Sequence, residues 1–91
     1  MSITIEHIEP LGHAPVHHGF AIRGAAHEAQ QDIQVYFETL INGVQSANVR
    51  AVSDEHGRWM AVFPGDFQVG TEITAYARGG RAELAWKTQR L

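Results

Sequence analysis

The sequence predicts an all-β domain of about seven short strands, folded as a two-sheet antiparallel sandwich. Three observations predict it. Nine glycines and three prolines punctuate the 91 residues from one end to the other. Between them lie short segments in which apolar and polar residues alternate, the period of an extended chain with one buried face. No segment shows the i, i+3, i+4 apolar stripe of an amphipathic helix.

The elements follow in order. The first runs from Ile3 to Ile8, with Ile3 and Ile5 on one face and Thr4 and Glu6 on the other, and Pro10 and Gly12 end it. A loop carrying His13, His17 and His18 leads to Gly19. The second strand, Phe20 to Gly24, turns Phe20 and Ile22 inward and Arg23 outward. Ala25 to Asp32 is polar and reads as a loop. The third strand, Ile33 to Glu38, alternates Ile33, Val35 and Phe37 with Gln34, Tyr36 and Glu38. Asn42-Gly43 signals a type I′ turn, whose central residues need positive φ. The fourth strand spans about Gln45 to Ser53. Asp54-Glu55-His56-Gly57 is the next turn, and the fifth strand runs from Arg58 to Phe63, ended by Pro64-Gly65. Asp66 to Gly70 is a loop. The sixth strand is Glu72 to Arg78, Gly79-Gly80 is a two-residue hairpin turn, and the seventh starts at Arg81 and reaches Lys87 or beyond.

The inward phases nominate a core of Phe20, Ile22, Ile33, Val35, Phe37, Trp59, Ala61, Phe63, Ile73, Ala75, Leu84 and Trp86. Each large member contributes about 1.5–3 kcal/mol of burial. One conflict stands out. A strict two-residue turn at Asn42-Gly43 pairs Phe37 with Asn48 and Val35 with Arg50, which sets the apolar residues of the two strands out of phase. A bulge, a wider loop or a change of sheet by the fourth strand is expected there.

Composition bounds the function. Apolar residues make up 44% and charged residues 19%, which fits a folded domain. The chain has no cysteine, so disulfides, thiolate metal sites and a cysteine nucleophile are excluded. The formal net charge is −3, which disfavours nucleic acid and anionic lipid as partners. No apolar run is long enough for a membrane span. Met1 to His7 shows neither a basic n-region nor an apolar h-region, and the compartment stays open.

Three pieces of the chain carry a family likeness. They are Gly24-Ala25-Ala26 ahead of the alternating strand Ile33–Phe37, the hairpin Asp54-Glu55-His56-Gly57-Arg58-Trp59 running on to Phe63-Pro64, and Gly70-Thr71-Glu72-Ile73-Thr74-Ala75-Tyr76-Ala77. Between Gly24 and Ala77 the chain resembles the bacterial Ig-like domains, β-sandwiches of the immunoglobulin and fibronectin III kind. The resemblance implies one Ig-like domain over residues 1–91. It also implies a spacer, adhesive or ligand-binding module on a cell surface, in a secreted protein or on a virion. The hairpin has its own physical reason. Asp54 accepts hydrogen bonds from backbone donors in the turn, Gly57 takes positive φ, and Trp59 enters the core.

Candidate functional residues are few. His13, His17 and His18 share a loop, and imidazoles at that spacing ligate zinc, nickel or copper. The loop contains Gly12, Pro15 and Gly19, so nothing in the sequence fixes a geometry, and a solvated loop is the preferred reading. No cofactor is expected. Ser53, Asp54, Glu55 and His56 hold the letters of a hydrolytic triad, but neighbours in a tight turn cannot converge on one substrate atom. Catalysis is therefore not expected. Arg78, Arg81, Lys87 and Arg90 form a basic rim, read as edge protection or as a site for an anionic partner. Tyr36 and Tyr76 take outward phases. If Trp59, Ala61 and Phe63 face in, Met60 and Val62 face out, with Val49 and Ala51 across from them in a small apolar interface patch. The expected role is a non-catalytic structural, adhesion or interaction module whose partner is a protein, including a second copy of itself. The alternatives are a carbohydrate-binding module and a metal-binding protein using the histidine loop.

Overall fold

A computed structural model describes residues 3–12, 15–39, 48–79 and 84–91. His13, the Asn42-Gly43 turn, Gly80 and Arg81 lie outside the described residues. Among those described, seven strands form two antiparallel sheets: β1 (Thr4–Pro10), β2 (Val16–Ala25), β3 (Asp32–Thr39), β4 (Val49–Val52), β5 (Arg58–Gln68), β6 (Glu72–Arg78) and β7 (Leu84–Arg90). One sheet has the order β1-β2-β5 and the other β4-β3-β6-β7. No described residue is helical.

The sandwich follows from alternation, and two bulges correct its phase. Ile3 and Ile5 are odd-numbered inward candidates, while Ile8 is even. Glu6 is the extra residue that reconciles them, because pairing steps from Ile5↔Gly24 to His7↔Arg23. Beyond it Ile8 points inward and is 2% exposed. The second bulge lies in β5, where pairing steps from Gly19↔Pro64 to His17↔Phe67 and inserts one residue on the β5 side. β5 therefore does not stop at Phe63. Pro64 costs little in an edge strand, where one side of the ladder is unpaired, and the bulge returns Phe67 to the interior. There its ring centroid sits 5.2 Å from Phe20 and 5.9 Å from Phe37. Phe20 also packs edge-on against Phe37 at 4.9 Å and lies tilted, with 31° between the rings, against Phe63 at 5.5 Å. Edge-to-face geometry is the favoured aromatic arrangement.

The rest of the core is Ile3, Ile22, Ile33, Val35, Ala51, Trp59, Ala61, Ile73, Ala75 and Ala77. Two residues expected in it are not there. Leu84 is 49% exposed and Trp86 66% exposed. The physical reason is register. A two-residue turn at Gly79-Gly80 pairs Arg78 with Arg81 and Ala75 with Leu84. The observed pairs are Arg78↔Leu84 and Ala75↔Lys87. The displacement is odd, and an odd displacement sends every side chain of β7 to the other face. The same logic resolves the conflict between β3 and β4. Val35 pairs with Val49 and Ile33 with Ala51, one residue away from the strict two-residue register, so the apolar phases agree.

With Ala85, Lys87 and Gln89 on its inner phase, β7 closes the seam beside β1. The Gln89 side-chain amide accepts from the Ile8 N–H at 3.3 Å through Oε1 and donates to the Ile8 carbonyl through Nε2. It thus satisfies both backbone groups of an edge residue, as a strand partner does.

The turn after β4 places Asp54, Gly57 and Trp59 as expected, but it joins strands of different sheets and is not the hairpin the sequence suggests. Asp54 Oδ1 accepts from the N–H groups of His56 at 2.8 Å and Arg58 at 2.9 Å. These two donors, Arg58 first, hold the Asp54 carboxyl below its ordinary pKa. Gly57 has φ 78°, and a Cβ there would crowd the Ala26 carbonyl oxygen. Trp59 then lies over Gly24. A side chain on Gly24 would collide with the Trp59 indole and the Thr4 carbonyl.

Candidate functional site

The outer face of the four-stranded sheet carries a row of aromatic side chains. Tyr36 of β3 pairs with Tyr76 of β6, and Tyr76 pairs with Trp86 of β7. All three take the outward phase, because Ile33, Val35, Ile73, Ala75 and Ala77 occupy the inward one. The two tyrosine rings stack at 4.9 Å with 14° between their planes. Trp86 is the most exposed of the large hydrophobic residues among those described.

Residues that are polar except for Leu84 flank the row on both sides. On one side lie Arg50, Gln34, Arg78 and Leu84, consecutive partners across β4, β3, β6 and β7. On the other side lie Glu38, Thr74 and Thr88, also consecutive partners. The Thr74 and Thr88 hydroxyls are 3.0 Å apart. Tyr76 donates its hydroxyl to Glu38 Oε2 at 3.4 Å. Its phenol is held above the ordinary range, first by desolvation and then by the Glu38 carboxylate. Arg50 pairs with Asp32 at 2.7 Å, and Arg90 with Glu72 at 3.7 Å. Arg78 makes no ion pair among the described residues.

The sequence candidates distribute as follows. Met60 and Val62 are exposed as expected, at 47% and 42%. Val49 and Ala51 do not lie across from them. β5 pairs with β2, so Met60 faces Arg23 and Val62 faces Ala21. Ala51 is a core residue and Val49 packs partly against the core. The basic rim does not form one line. Arg78 and Arg90 share the outer face, while Lys87, opposite Ala75, takes the inner phase of the seam strand. Arg81 is outside the described residues.

His17 and His18 are split between faces. His17 is 8% exposed, opposite Phe67, and its Nδ1 has no hydrogen-bond partner among the described residues. His18 is exposed, with Nδ1 3.5 Å from Asp66 Oδ1. Among the described residues no three His, Asp or Glu side chains gather into a metal-holding group. Ser53 is buried, and its hydroxyl accepts from the Gln31 N–H at 2.8 Å and donates to the Glu28 carbonyl at 2.6 Å. It pins the loop between β2 and β3 and is committed to the backbone. His56 is exposed on the turn beside Glu55, 3.5 Å away.

The feature that sequence reasoning missed is Trp86 as an outward residue. Both phases of β7 and the residue that follows it contain apolar residues, Leu84 and Trp86 against Ala85 and Leu91, so alternation alone does not choose between them. The available signal was the outward pair Tyr36 and Tyr76, which already marked this face. Among the described residues no helix is long and apolar enough to cross a membrane. No protein-family model matches this chain, and no curated protein matches it.

Proposed function

We propose that this chain is a non-catalytic Ig-like interaction module that binds its partner through the outer face of the four-stranded sheet. The observation that carries the reading is the Tyr36–Tyr76–Trp86 row, with Trp86 66% exposed and Arg78 beside it. Tyrosine, tryptophan and arginine are the residues that supply most of the binding energy at protein interfaces. A large exposed indole is costly for a free surface and is kept where something covers it.

The Ig-like part of the reading is supported by strand order. Labelled along the chain as A, B, C, C′, E, F and G, the sheets read A-B-E and C′-C-F-G, three strands facing four. The fourth strand joins the sheet of the third, so this is not the constant-type arrangement, in which a fourth strand flanks the fifth. The Asp54–Gly57 turn, which crosses from one sheet to the other, and the buried Trp59 add to the likeness. Fold says little about role, and the role is argued from the surface.

A second reading has the same face bind carbohydrate. The exposed Trp86 ring offers a stacking surface, and Gln34, Arg78, Thr74 and Thr88 offer hydrogen bonds to hydroxyls. The test is comparative capture of proteins and glycans on immobilised protein, with Trp86→Ala and Val62→Arg in parallel. Binding should disappear with Trp86→Ala and survive Val62→Arg. The opposite result moves the site to the other sheet. Equal binding by all three proteins refutes a role for the aromatic row.

A further inference from the structure

The flanks of the aromatic row differ in charge. On one side stand Arg50 and Arg78, and on the other stands Glu38. Arg50 is already paired with Asp32, which leaves Arg78 as the cation without an ion pair among the described residues. Glu38 is exposed, and among the described residues its carboxylate has the Tyr76 hydroxyl as its hydrogen-bond partner, at a long 3.4 Å. A cation with no ion pair among the described residues and an exposed carboxylate thus stand on opposite sides of one aromatic row.

That pattern is self-complementary under one symmetry operation. A two-fold axis lying in the interface along the row sets each aromatic residue against its own copy. It also carries the Arg78 side of one molecule onto the Glu38 side of the other. Arg78 and Glu38 sit on adjacent strands, β6 and β3, about 4.8 Å apart, within reach of two long side chains. An axis along the strands instead sets arginines against arginines and is repulsive. The two-fold along the row makes the same patch serve both partners, as an isologous dimer requires.

We infer that the occupant of this face is a second copy of the chain, docked sheet to sheet with the Tyr36–Tyr76–Trp86 row on the two-fold axis and reciprocal Arg78–Glu38 pairs on either side. This rests on the proposed use of the face and adds the identity of what covers it. The area bounds the affinity. Three strands of seven or eight residues and the four-residue β4, about 4.8 Å apart at about 3.3 Å per residue, give a face of roughly 410 Å². Two such faces bury about 800 Å², at the small end where weak and transient contacts lie. The dimer is accordingly weak, with a Kd on the order of micromolar.

The test is sedimentation velocity over a wide concentration range, with circular dichroism to confirm that each variant is folded. Wild type should pass from monomer to dimer. Arg78→Glu and Glu38→Arg should each weaken the dimer by about tenfold or more. The double variant should restore it, because the pair is exchanged intact, and raised salt should weaken the wild-type dimer. A wild type that stays monomeric throughout overturns the inference, as does a double variant no better than the singles. A dimer lost in Val62→Arg but kept in Arg78→Glu overturns it in favour of the β2-β5 face. The two levels separate cleanly. A monomeric wild type that still loses a protein or glycan ligand on Trp86→Ala sinks the second copy and leaves the face. Indifference to Trp86→Ala in both assays sinks both.

Discussion

Trp59 lies between the sheets, 4% exposed, and Trp86 lies outside one of them, 66% exposed. Both belong to strands with alternating residues, and both have apolar neighbours two positions away. What separates them is the turn that precedes each. Asp54 and Gly57 fix the entry to β5 with two side-chain hydrogen bonds and one positive φ, so the phase of Trp59 is set before the strand starts. The approach to β7 spans five residues from Arg78 to Leu84, and the odd displacement it produces turns Trp86 outward. A side chain's fate in a sheet is decided by the parity of a turn as much as by its own hydrophobicity.

The largest test of this comparison is to truncate each ring. Trp59→Ala should cost about 3–5 kcal/mol, the usual loss for a large buried aromatic, and in a domain this small should abolish or nearly abolish folding. Trp86→Ala should stay within about 0.5 kcal/mol, as exposed substitutions do. Urea unfolding of the two variants measures both, and comparable losses would mean that Trp86 is packed. A smaller effect probes the seat of the buried ring. Gly24→Ala forces a methyl group into the Trp59 indole and the Thr4 carbonyl, and should cost about 1–3 kcal/mol by overpacking. A wild-type unfolding midpoint would show that the ring has room to shift.

The smallest effect belongs to the turn. The folded state holds the Asp54 pKa below its ordinary 3.8. A depressed acid contributes stability that is fully present above the unfolded value and is lost as pH falls toward the folded one. Stability should therefore decline in acid below about pH 4, and Asp54→Asn should remove part of that decline while leaving the neutral-pH fold intact. Thermal midpoints of both proteins across this range measure it, and parallel curves would remove Asp54 from the account.

Much of the architecture was legible because alternation reports directly which residues share a face. Phe20, Ile22, Ile33, Val35, Trp59, Ala61, Phe63, Ile73 and Ala75 all declared themselves in this way. The error came at Gly79-Gly80, where a glycine pair suggested a two-residue connection and the observed register departs from it by three residues. At Asn42-Gly43 the phase conflict in the sequence already pointed away from a strict two-residue turn, and the observed register departs from it by one. Local turn propensity yielded to the burial of whole strands, which involves many more side chains. The continuation of β5 past Pro64 was hidden for a related reason, since proline forbids a central strand but not an edge. For the candidate site, Tyr36 and Tyr76 were placed outward from the sequence. Their meeting with Trp86 was not, because it depends on pairing between strands distant along the chain.

The bridge from Gln89 to Ile8 has a mechanical consequence. Ile3 lies beside Gly79 at one end of β6, Ile8 bonds Gln89 further along, and Leu91 bonds Thr71 at the other end. β1 and β7 therefore run the same way, and Ile3 and Leu91 fall toward opposite ends of a molecule 37 Å long. Tension between those ends slides the first strand past the last. The two hydrogen bonds of the Gln89 amide lie across that sliding direction and are loaded together rather than peeled one at a time. A single side chain thereby acts as a shear pin, and shortening it to alanine should lower the force at which the sandwich gives way more than it lowers the temperature at which it melts.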